Sequence, residues 1–302
     1  SLSCANRCIF CWRDYKAPVS KEWLGEINDP QEIIDGAKEA QKELLSGFGG
    51  HPSAITELKN ESKTVKHVAL SLTGEPINYP KINEIINLFH KEKISTFLVT
   101  NGQYPEELKD LPPITQLYIS LDAPSKEILK KVSQPLFTDH WERLNKSLEY
   151  LSEKKERTCL RFTLMREINM CDLEGYSKLI QKADPDFLEI KAYMFVGSSR
   201  QRLDLKNMPF HEDMVNFSKA LVKYLPDYEI VAEHIPSRIV LLAKKKYKKN
   251  GKWHTWIDFD KFFNKEEDYS RETPETGLSG KGTKERMKVD EKTEELEFWK
   301  ED

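Results

Sequence analysis

The chain has 302 residues, of which 38% are hydrophobic and 32% are charged, and its formal net charge is −3. That length can bury one large core, most simply a single α/β domain of barrel size, and the nearly balanced charge excludes a uniformly basic nucleic-acid binder. Its five cysteines do not form a disulfide framework and indicate a reducing compartment, which we take to be the cytoplasm. The sequence has no apolar run of about 18 residues that would span a membrane, and no secretory signal.

The first predicted element is a cysteine loop, with Cys4, Cys8 and Cys11 in a C-x3-C-x2-C pattern. A structural zinc site has four protein ligands, whereas a [4Fe–4S] cluster held by three cysteines leaves one iron open to an exogenous ligand. Thiolates are soft ligands that suit iron–sulfur chemistry. The pattern predicts such a cluster. The alternatives are a zinc knuckle completed by a distant histidine, and buried cysteines that cluster by chance.

Downstream of this loop, short apolar runs alternate with amphipathic segments. Runs rich in β-branched or aromatic residues predict strands at 67–72, 95–100, 116–121, 159–165 and 187–196. Helical periodicity predicts helices at 30–45, 81–93, 126–132, 140–154, 173–183 and 211–224. This alternation predicts a parallel sheet that curls towards a barrel, with the functional residues at the carboxyl ends of the strands.

Glycine, amide, hydroxyl and carboxylate groups lie at the ends of the first three predicted strands, at Gly74, Glu75, Asn101, Ser120 and Asp122. Glu75 can accept hydrogen bonds from an ammonium group, and Ser120 and Asp122 suit the hydroxyls of a ribose. Each position alone is typical of an ordinary turn or helix start. Their repetition at successive strand ends, downstream of the cysteine loop, favours a binding site.

Several motifs occur together in one family: CANRCIFCWR (4–13), LLSGFGG (44–50), SLTGEP (71–76), FLVTNG (97–102), YISLDAP (118–124), KAYMFVG (191–197), SRQRL (199–203) and MPFH (208–211). Over about residues 1–263 the chain resembles the tRNA 4-demethylwyosine synthases, which are radical S-adenosylmethionine (SAM) enzymes of wybutosine biosynthesis. HTWIDFD (254–260) resembles the C-terminal extension of that family.

The resemblance implies a partial (β/α)6 TIM-like radical SAM barrel with a C-terminal extension. It implies a carbon–carbon lyase that condenses N1-methylguanosine-37 of tRNA(Phe) with pyruvate, after SAM is cleaved to a 5′-deoxyadenosyl radical that takes hydrogen from the guanine methyl group. Cys4, Cys8 and Cys11 would hold the cluster. By motif position, the SAM contacts would be Gly74 and Glu75 at the ammonium, Ser120 and Asp122 at the ribose, and Phe10 and Asn101 near the adenine.

The resemblance also implies that pyruvate is held as a Schiff base on a lysine, which requires a neutral amine. Lys191 is the candidate because it ends an apolar predicted strand on the active side of the sheet. The alternative is that Lys191 forms an ordinary ion pair with Glu189, two residues away on the same face.

Basic residues suggest where tRNA would bind. Arg7 and Arg13 flank the cysteine loop, and Arg200 and Arg202 follow the last predicted strand. A second basic segment, 244–252, lies beside two tryptophans and has the lysines and aromatic rings that grip RNA loops. The alternative for that segment is a solvated surface turn.

The predicted domain organisation is a barrel at 1–235 with a truncated first strand, an extension at 236–263 and a charged, disordered tail at 264–302. The family's second [4Fe–4S] cluster and the flavodoxin-like FMN domain of its eukaryotic members would lie on an upstream segment. Cys159 and Cys171 do not match the spacing of that second cluster. We expect a monomer that receives electrons from the FMN domain or from a reductase.

Two other functions remain open. A radical SAM enzyme with another RNA or a protein as substrate would cleave SAM without depending on this tRNA. A non-catalytic RNA-binding module with a zinc-stabilised amino terminus would bind zinc and would lack the colour of an iron–sulfur protein.

Overall fold

The computed structural model describes residues 3–14, 16–51 and 54–279. Within these ranges no helix is both long and apolar enough to cross a membrane. The α-helices are α1 (Pro30–Leu44), α2 (Thr56–Glu61), α3 (Ile82–Lys91), α4 (Pro105–Lys109), α5 (Lys126–Ser133), α6 (His140–Ser152), α7 (Leu173–Ala183), α8 (His211–Leu221) and α9 (Phe259–Phe263). The main sheet contains β1 (His67–Leu70), β2 (Ser95–Thr100), β3 (Gln116–Ser120), β4 (Arg157–Leu164), β5 (Phe187–Ala192), β6 (Tyr228–His234) and β7 (Ile239–Lys244).

The main sheet is mostly parallel. Strands β1 to β5 pair in chain order, all parallel, and an antiparallel β6–β7 hairpin completes the sheet beside β5. Helices connect the parallel strands, as the geometry of βα units requires. One face of the sheet is buried in the core that these helices cover, where Leu98, Ile119, Phe162 and Ile190 are each 0% exposed.

The other face of the sheet carries polar side chains. The register pairs Ser120 with Arg161, Arg161 with Glu189, and Thr163 with Lys191. Paired residues share a face, so these five side chains form neighbouring rows, and each is partly buried. They lie towards the carboxyl ends of the strands, where barrels of this type hold their active sites.

The predicted α/β fold is confirmed, and the five predicted strands and six predicted helices are all present. The first strand ends at Leu70 rather than at residue 72, because Leu72 adopts a left-handed conformation with φ +84°. The fifth ends at Ala192 rather than at residue 196, because a short 3-10 turn, Gly197–Gln201, follows closely. The periodicity did not predict the β6–β7 hairpin or the short helices α2, α4 and α9.

The predicted barrel boundary at residue 235 is wrong. It falls in the turn between β6 and β7, which pair with each other, and β7 also pairs with β5 through Ile190 and Val240. The main sheet therefore continues to Lys244. A hairpin turn interrupts the hydrophobic pattern of the sequence and so resembles a domain boundary, although the two strands that it joins belong to one sheet.

The C-terminal extension packs across the amino ends of the strands. The Tyr269 hydroxyl donates to the Thr115 carbonyl at 3.0 Å and accepts from the Arg157 N–H at 2.8 Å. The Arg157 guanidinium donates to the Thr255 carbonyl at 2.7 Å and lies 4.4 Å from the centre of the Phe187 ring. Residues 264–279 are therefore folded, contrary to the prediction of a disordered tail, and residues 280–302 lie outside the described ranges.

The basic segment 244–252 belongs to this extension, which contains two ribbons of two-residue strands: β8 (Lys248–Lys249) with β9 (Lys252–Trp253), and β10 (Trp256–Ile257) with β11 (Ser270–Arg271). Five of its lysines form ion pairs: Lys244 with Asp184, Lys246 with Asp186, Lys248 with Glu229, Lys249 with Asp268 and Lys252 with Glu272. Five of the six lysine charges are thus neutralised locally, and the segment lies at the amino ends of the strands. This placement favours the alternative of a structural surface turn.

Candidate active site

The cysteine loop lies at the carboxyl ends of β1 and β2. The Glu75 N–H, just after β1, donates to the Ser3 carbonyl at 2.8 Å, and the Asn101 side-chain amide, just after β2, lies 3.6 Å from the Cys4 sulfur. On its other side, the Ile9 N–H donates to the carbonyl of Val132 in α5 at 2.9 Å. The loop is thus held by backbone contacts on two sides before any ligand is considered.

The three thiols are partly buried on this loop. Burial, followed by the charge of Glu75, raises the pKa of Cys4 to about 12, and burial followed by the charge of Cys4 raises the pKa of Cys8. The Cys4 and Cys8 thiols are therefore neutral unless a cationic centre binds and removes their protons. Across residues 3–14, 16–51 and 54–279, no three His, Cys, Asp or Glu side chains are placed to bind one ion. Three soft thiol ligands on one loop suit a [4Fe–4S] cluster, in which three irons take a thiolate each and one stays open, whereas a closed structural zinc site needs a fourth ligand.

Glu75 is the main acceptor beside this loop. Its side chain is buried, and one carboxylate oxygen accepts from the Asn101 N–H at 2.9 Å. The other oxygen, Oε1, is buried without a hydrogen-bond partner among the described residues. Burial raises the pKa of Glu75 to about 7, and the hydrogen bond from Asn101 opposes that rise. A buried, half-satisfied carboxylate fits an ammonium ligand, such as the amino group of SAM. Gly74, with φ +77°, sits in the turn that leads into it.

Asp122 and Ser120 lie at the end of β3. Asp122 is buried, and its carboxylate accepts from the Thr163 N–H at 2.8 Å, which ties this strand end to β4. The Asn169 side chain donates to the Asp122 carbonyl at 2.8 Å. Burial raises the pKa of Asp122 to about 7, and the charge of Asp122 contributes to the raised pKa of Cys8. Asp122, one of the two predicted ribose contacts, therefore lies within electrostatic range of Cys8.

Phe10 lies inside the loop and packs on a second apolar cluster rather than on the main core. The buried members of that cluster are Val132, Met165, Tyr193, Leu203 and Met208. They come from α5, from the ends of β4 and β5 and from the segment that follows β5. An aromatic ring on this apolar surface is suited to contact a flat base.

Lys191, near the end of β5, is partly buried and donates to the Ser237 carbonyl at 3.3 Å. Burial, followed by the positive charge of Arg161, lowers the pKa of Lys191, while Glu189 opposes this shift. Glu189 itself pairs with Arg161 at 3.0 Å. The alternative in which Lys191 is simply the ion-pair partner of Glu189 is therefore not what the structure contains. The positions of Arg161 and Ser237 beside Lys191 were not predicted, because the β4–β5 register brings in the first and the turn between β6 and β7 the second.

The four predicted arginine contacts are not alike. Arg7 is exposed, and the exposed Arg200 donates to the Phe195 carbonyl at 3.0 Å. Arg13 is partly buried near Cys4, and its Nη2 has no hydrogen-bond partner among the described residues. Arg202 faces inwards: its guanidinium donates to the carbonyls of Ile9, at 2.9 Å, and of Cys11. Arg202 is thus engaged with the cysteine loop itself.

A groove of about 1250 Å³ lies between α1 and α2, against Val65 and Lys66 just before β1. No residue of the cysteine loop or of the strand ends lines it. Cavity size therefore does not identify this site; the convergence of polar groups at the strand ends does.

Two family models match the chain: the radical SAM superfamily at residues 1–180, and wyosine base formation at residues 182–244. The S-adenosyl-L-methionine-dependent tRNA 4-demethylwyosine synthase TYW1 of Danio rerio is 46% identical over 263 residues, which is 87% of this chain and 36% of that protein. The synthase of Oryza sativa is 45% identical over 291 residues, 93% of this chain and 45% of that protein. The chain thus spans less than half the length of these curated relatives.

Two solved structures resemble this chain over most of its length. A structure of TYW1 with a lysine-pyruvate adduct bound has a TM-score of 0.71 and 32% identity, covering 82% of this chain and 78% of that one. A crystal structure of archaeal TYW1 has a TM-score of 0.65 and 31% identity, covering 77% and 76%. The chain therefore belongs to the radical SAM superfamily, whose members use SAM and a [4Fe–4S] cluster, and within it to the tRNA 4-demethylwyosine synthase (TYW1) family.

Proposed function

We propose that this chain forms 4-demethylwyosine in tRNA(Phe) by condensing N1-methylguanosine-37 with pyruvate in a radical SAM reaction. One observation carries the proposal. The same end of the sheet holds the cysteine loop beside Glu75 and the end of β5 with Lys191, which lies in the part matched by the wyosine model. Radical generation and ring formation require groups from the radical SAM part and from the wyosine part to lie close together, at the same end of the sheet.

The residues that would hold the cluster and SAM follow from the site. Cys4, Cys8 and Cys11 would bind three irons, and the unpartnered Glu75 oxygen would accept from the SAM ammonium. Ser120 and Asp122 would hold the ribose and Phe10 the adenine. When bound, cluster and SAM supply the one-electron chemistry; the protein orients the groups and excludes water.

Pyruvate would be held by Lys191, the candidate within this chain for the kind of adduct named in the related structure. The neutral amine would attack the keto carbon, a C=N bond would form and the keto oxygen would leave as water. Burial and Arg161 favour the neutral amine, and the Ser237 carbonyl orients it.

Borohydride reduction in the presence of pyruvate, followed by peptide mapping, tests this assignment. A reduced adduct on Lys191, absent in Lys191→Met, supports it, and an adduct mapped to another lysine refutes it. Lys154→Met is the matched control, because burial also lowers the pKa of Lys154, which instead donates to the carbonyls of Lys109 and Leu111.

Arg7, Arg13 and Arg200 are the proposed tRNA contacts, since they lie around the cysteine loop and the end of β5. The second cluster and the FMN electron donor are proposed to lie outside residues 1–302. Cys159 is buried in a hydrophobic cluster and Cys171 is exposed on a different segment, so neither is suited to join the cysteine loop.

The decisive experiment supplies the protein, expressed from its natural start and reconstituted anaerobically, with SAM, reductant, pyruvate and tRNA bearing N1-methylguanosine-37. The tricyclic nucleoside should appear after digestion, should be lost with Cys8→Ala and should persist with the control Cys171→Ala. Formation of 5′-deoxyadenosine without the nucleoside would leave a radical SAM enzyme with a different RNA or protein substrate. If a protein with an intact cluster forms neither 5′-deoxyadenosine nor the tricyclic nucleoside, the proposal is refuted.

A further inference from the structure

We propose that the turn Gly197–Gln201 and the adjoining Arg202 form a clamp that positions the cysteine loop for cluster binding, with Arg202 as the positioning residue. The proposal rests on the assignment of the cluster to the three cysteines. The clamp lies in the part matched by the wyosine model, and the cysteine loop that it positions lies in the part matched by the radical SAM model.

The first contact of this clamp is made by the Arg202 guanidinium. Its Nε donates to the Ile9 carbonyl at 2.9 Å, and its Nη2 donates to the Cys11 carbonyl. Ile9 follows the second cysteine and Cys11 is the third, so one rigid planar group fixes both ends of the segment between them. A guanidinium presents two donors in fixed geometry, whereas a lysine ammonium is a flexible point charge that cannot reproduce the fork.

The second contact is a close approach of two backbones. The Ser198 N–H donates to the Trp12 carbonyl at 2.9 Å. Gly197 has φ +57°, and a Cβ placed on it would lie 2.3 Å from the same carbonyl oxygen. A residue with a side chain cannot occupy this position without moving the loop or the turn.

The clamp is itself fixed to the sheet. Ser199 is fully buried, and its hydroxyl bonds the Tyr193 hydroxyl at 2.7 Å and the Val196 carbonyl at 2.5 Å. The Leu203 N–H donates to the Ser199 carbonyl at 3.0 Å, and Leu203 packs in the apolar cluster that Phe10 contacts. The turn therefore transmits the position of β5 to the cysteine loop.

We expect the clamp to affect cluster binding more than the stability of the fold. Three cysteines on a surface loop must be ordered before they can bind three irons of one cluster, and ordering a loop costs conformational entropy. A clamp that orders the intervening backbone in advance lowers that cost. Groups that orient metal ligands in this way typically change metal affinity by about 10- to 100-fold when they are removed.

The test compares Arg202→Lys with Arg200→Lys in the protein expressed from its natural start. Both variants keep the charge, and Arg200, two residues away, contacts only the Phe195 carbonyl and ring among its described hydrogen-bond and ring contacts. After anaerobic reconstitution, iron per chain, the rate of iron loss to a chelator and the EPR spectrum of the reduced cluster with and without SAM are measured. Iron-free unfolding temperature is measured alongside.

We expect Arg202→Lys to lose iron about 10-fold faster or more, with an altered SAM-dependent EPR spectrum, while its iron-free unfolding temperature stays near that of the wild type. Arg200→Lys should match the wild type in iron content, rate of iron loss, EPR spectrum and iron-free unfolding temperature, none of which depends on tRNA. Gly197→Ala should shift iron retention in the same direction as Arg202→Lys by a different route. Wild-type iron retention and EPR in both Arg202→Lys and Gly197→Ala would overturn the clamp.

These outcomes separate the clamp from the proposed function. A wild-type protein that takes up no iron refutes the cysteine assignment and the clamp together. A wild-type protein that binds the cluster but makes no wyosine base refutes only the proposed reaction, because the iron and EPR comparison between the two arginine variants still decides the clamp.

Discussion

The main-chain N–H of Asn101 donates a 2.9 Å hydrogen bond to the buried carboxylate of Glu75. The same asparagine reaches towards the Cys4 sulfur, 3.6 Å away, with its side-chain amide. One residue thus joins the end of β2, the end of β1 and the cysteine loop. The bond satisfies one oxygen of Glu75 and leaves the other without a partner among the described residues, so the carboxylate is arranged for a ligand at a cost to the ligand-free protein.

Replacing Glu75 by glutamine should stabilise the ligand-free protein at pH 8 while weakening SAM binding. The folded-state pKa is raised to about 7, so the neutral form is the favoured one in the fold. Neutral Glu75 therefore contributes to the free energy of unfolding at a pH below its unfolded-state pKa. This contribution, on the order of 3 kcal/mol, is lost as the pH rises through about 7. Glu75→Gln keeps an acceptor for the Asn101 N–H and removes this loss.

The measurement is thermal unfolding of iron-free protein at pH 5 and pH 8. Glu75→Gln should unfold roughly 5 °C or more above the wild type at pH 8 and close to it at pH 5. Asp122, whose pKa is also raised to about 7, is present in both proteins and cancels in the comparison. Equal unfolding temperatures at pH 8 would mean that Glu75 is not held as a buried acid.

Tyr269→Phe should destabilise the protein by about 2 kcal/mol, although this residue lies in a segment with a disorder-like composition. The lost hydroxyl accepts from the Arg157 N–H and donates to the Thr115 carbonyl, and both backbone groups would remain buried and unpaired. Urea unfolding measures the change. Tyr224→Phe is the control, because Tyr224 is 45% exposed and should shift stability by less than about 0.5 kcal/mol.

The strand ends of the site were predictable from the sequence because each combines a local pattern with a fixed topology. A β-branched strand followed by Gly74 and Glu75, or by Asn101, needs no distant partner to be recognised. Once the sheet is parallel, the carboxyl ends of neighbouring strands meet at one edge. The placement of Glu75, Asn101 and Asp122 follows from these two steps.

The contacts between residues far apart in the sequence were not predictable, because they depend on strand register and on where distant segments of the chain pack. Arg161 lies beside Lys191 only because β4 and β5 pair with Thr163 opposite Lys191. Tyr269 meets Thr115 across 154 residues of sequence. The sequence suggests Arg202 as a tRNA contact, since nothing in its sequence neighbours shows that its guanidinium bonds the cysteine loop.

Glu189→Gln should lower the pKa of Lys191 further. Burial and Arg161 depress this pKa and the charge of Glu189 raises it, so removal of that charge leaves both depressing effects unopposed. The pH midpoint for pyruvate trapping or amine labelling of Lys191, followed by mass spectrometry, should move to lower pH. Glu174→Gln is the control, since Glu174 pairs with Lys178 in α7, and should leave the midpoint unchanged. A midpoint that rises in Glu189→Gln would contradict the electrostatic account.

tRNA binding should distinguish the arginines of the cysteine loop from the lysines of the extension. Each phosphate contact contributes roughly 0.7 to 0.9 to the slope of log affinity against log salt concentration. Arg7→Gln should therefore weaken binding and reduce the slope by nearly one. Lys248 and Lys252 pair with Glu229 and Glu272 at 2.9 and 2.8 Å, so each is already neutralised at the amino ends of the strands.

Filter binding of tRNA at several salt concentrations tests this difference. Lys248→Gln and Lys252→Gln should bind with the wild-type affinity and slope, because the lost lysines face carboxylates rather than phosphates. Their stability should change by less than about 1 kcal/mol, as is usual for exposed ion pairs. If Lys248→Gln reduced the slope as much as Arg7→Gln, the RNA would have to reach the amino ends of the strands. The tRNA would then cover both ends of the sheet, and the cysteine loop would be only part of its binding surface.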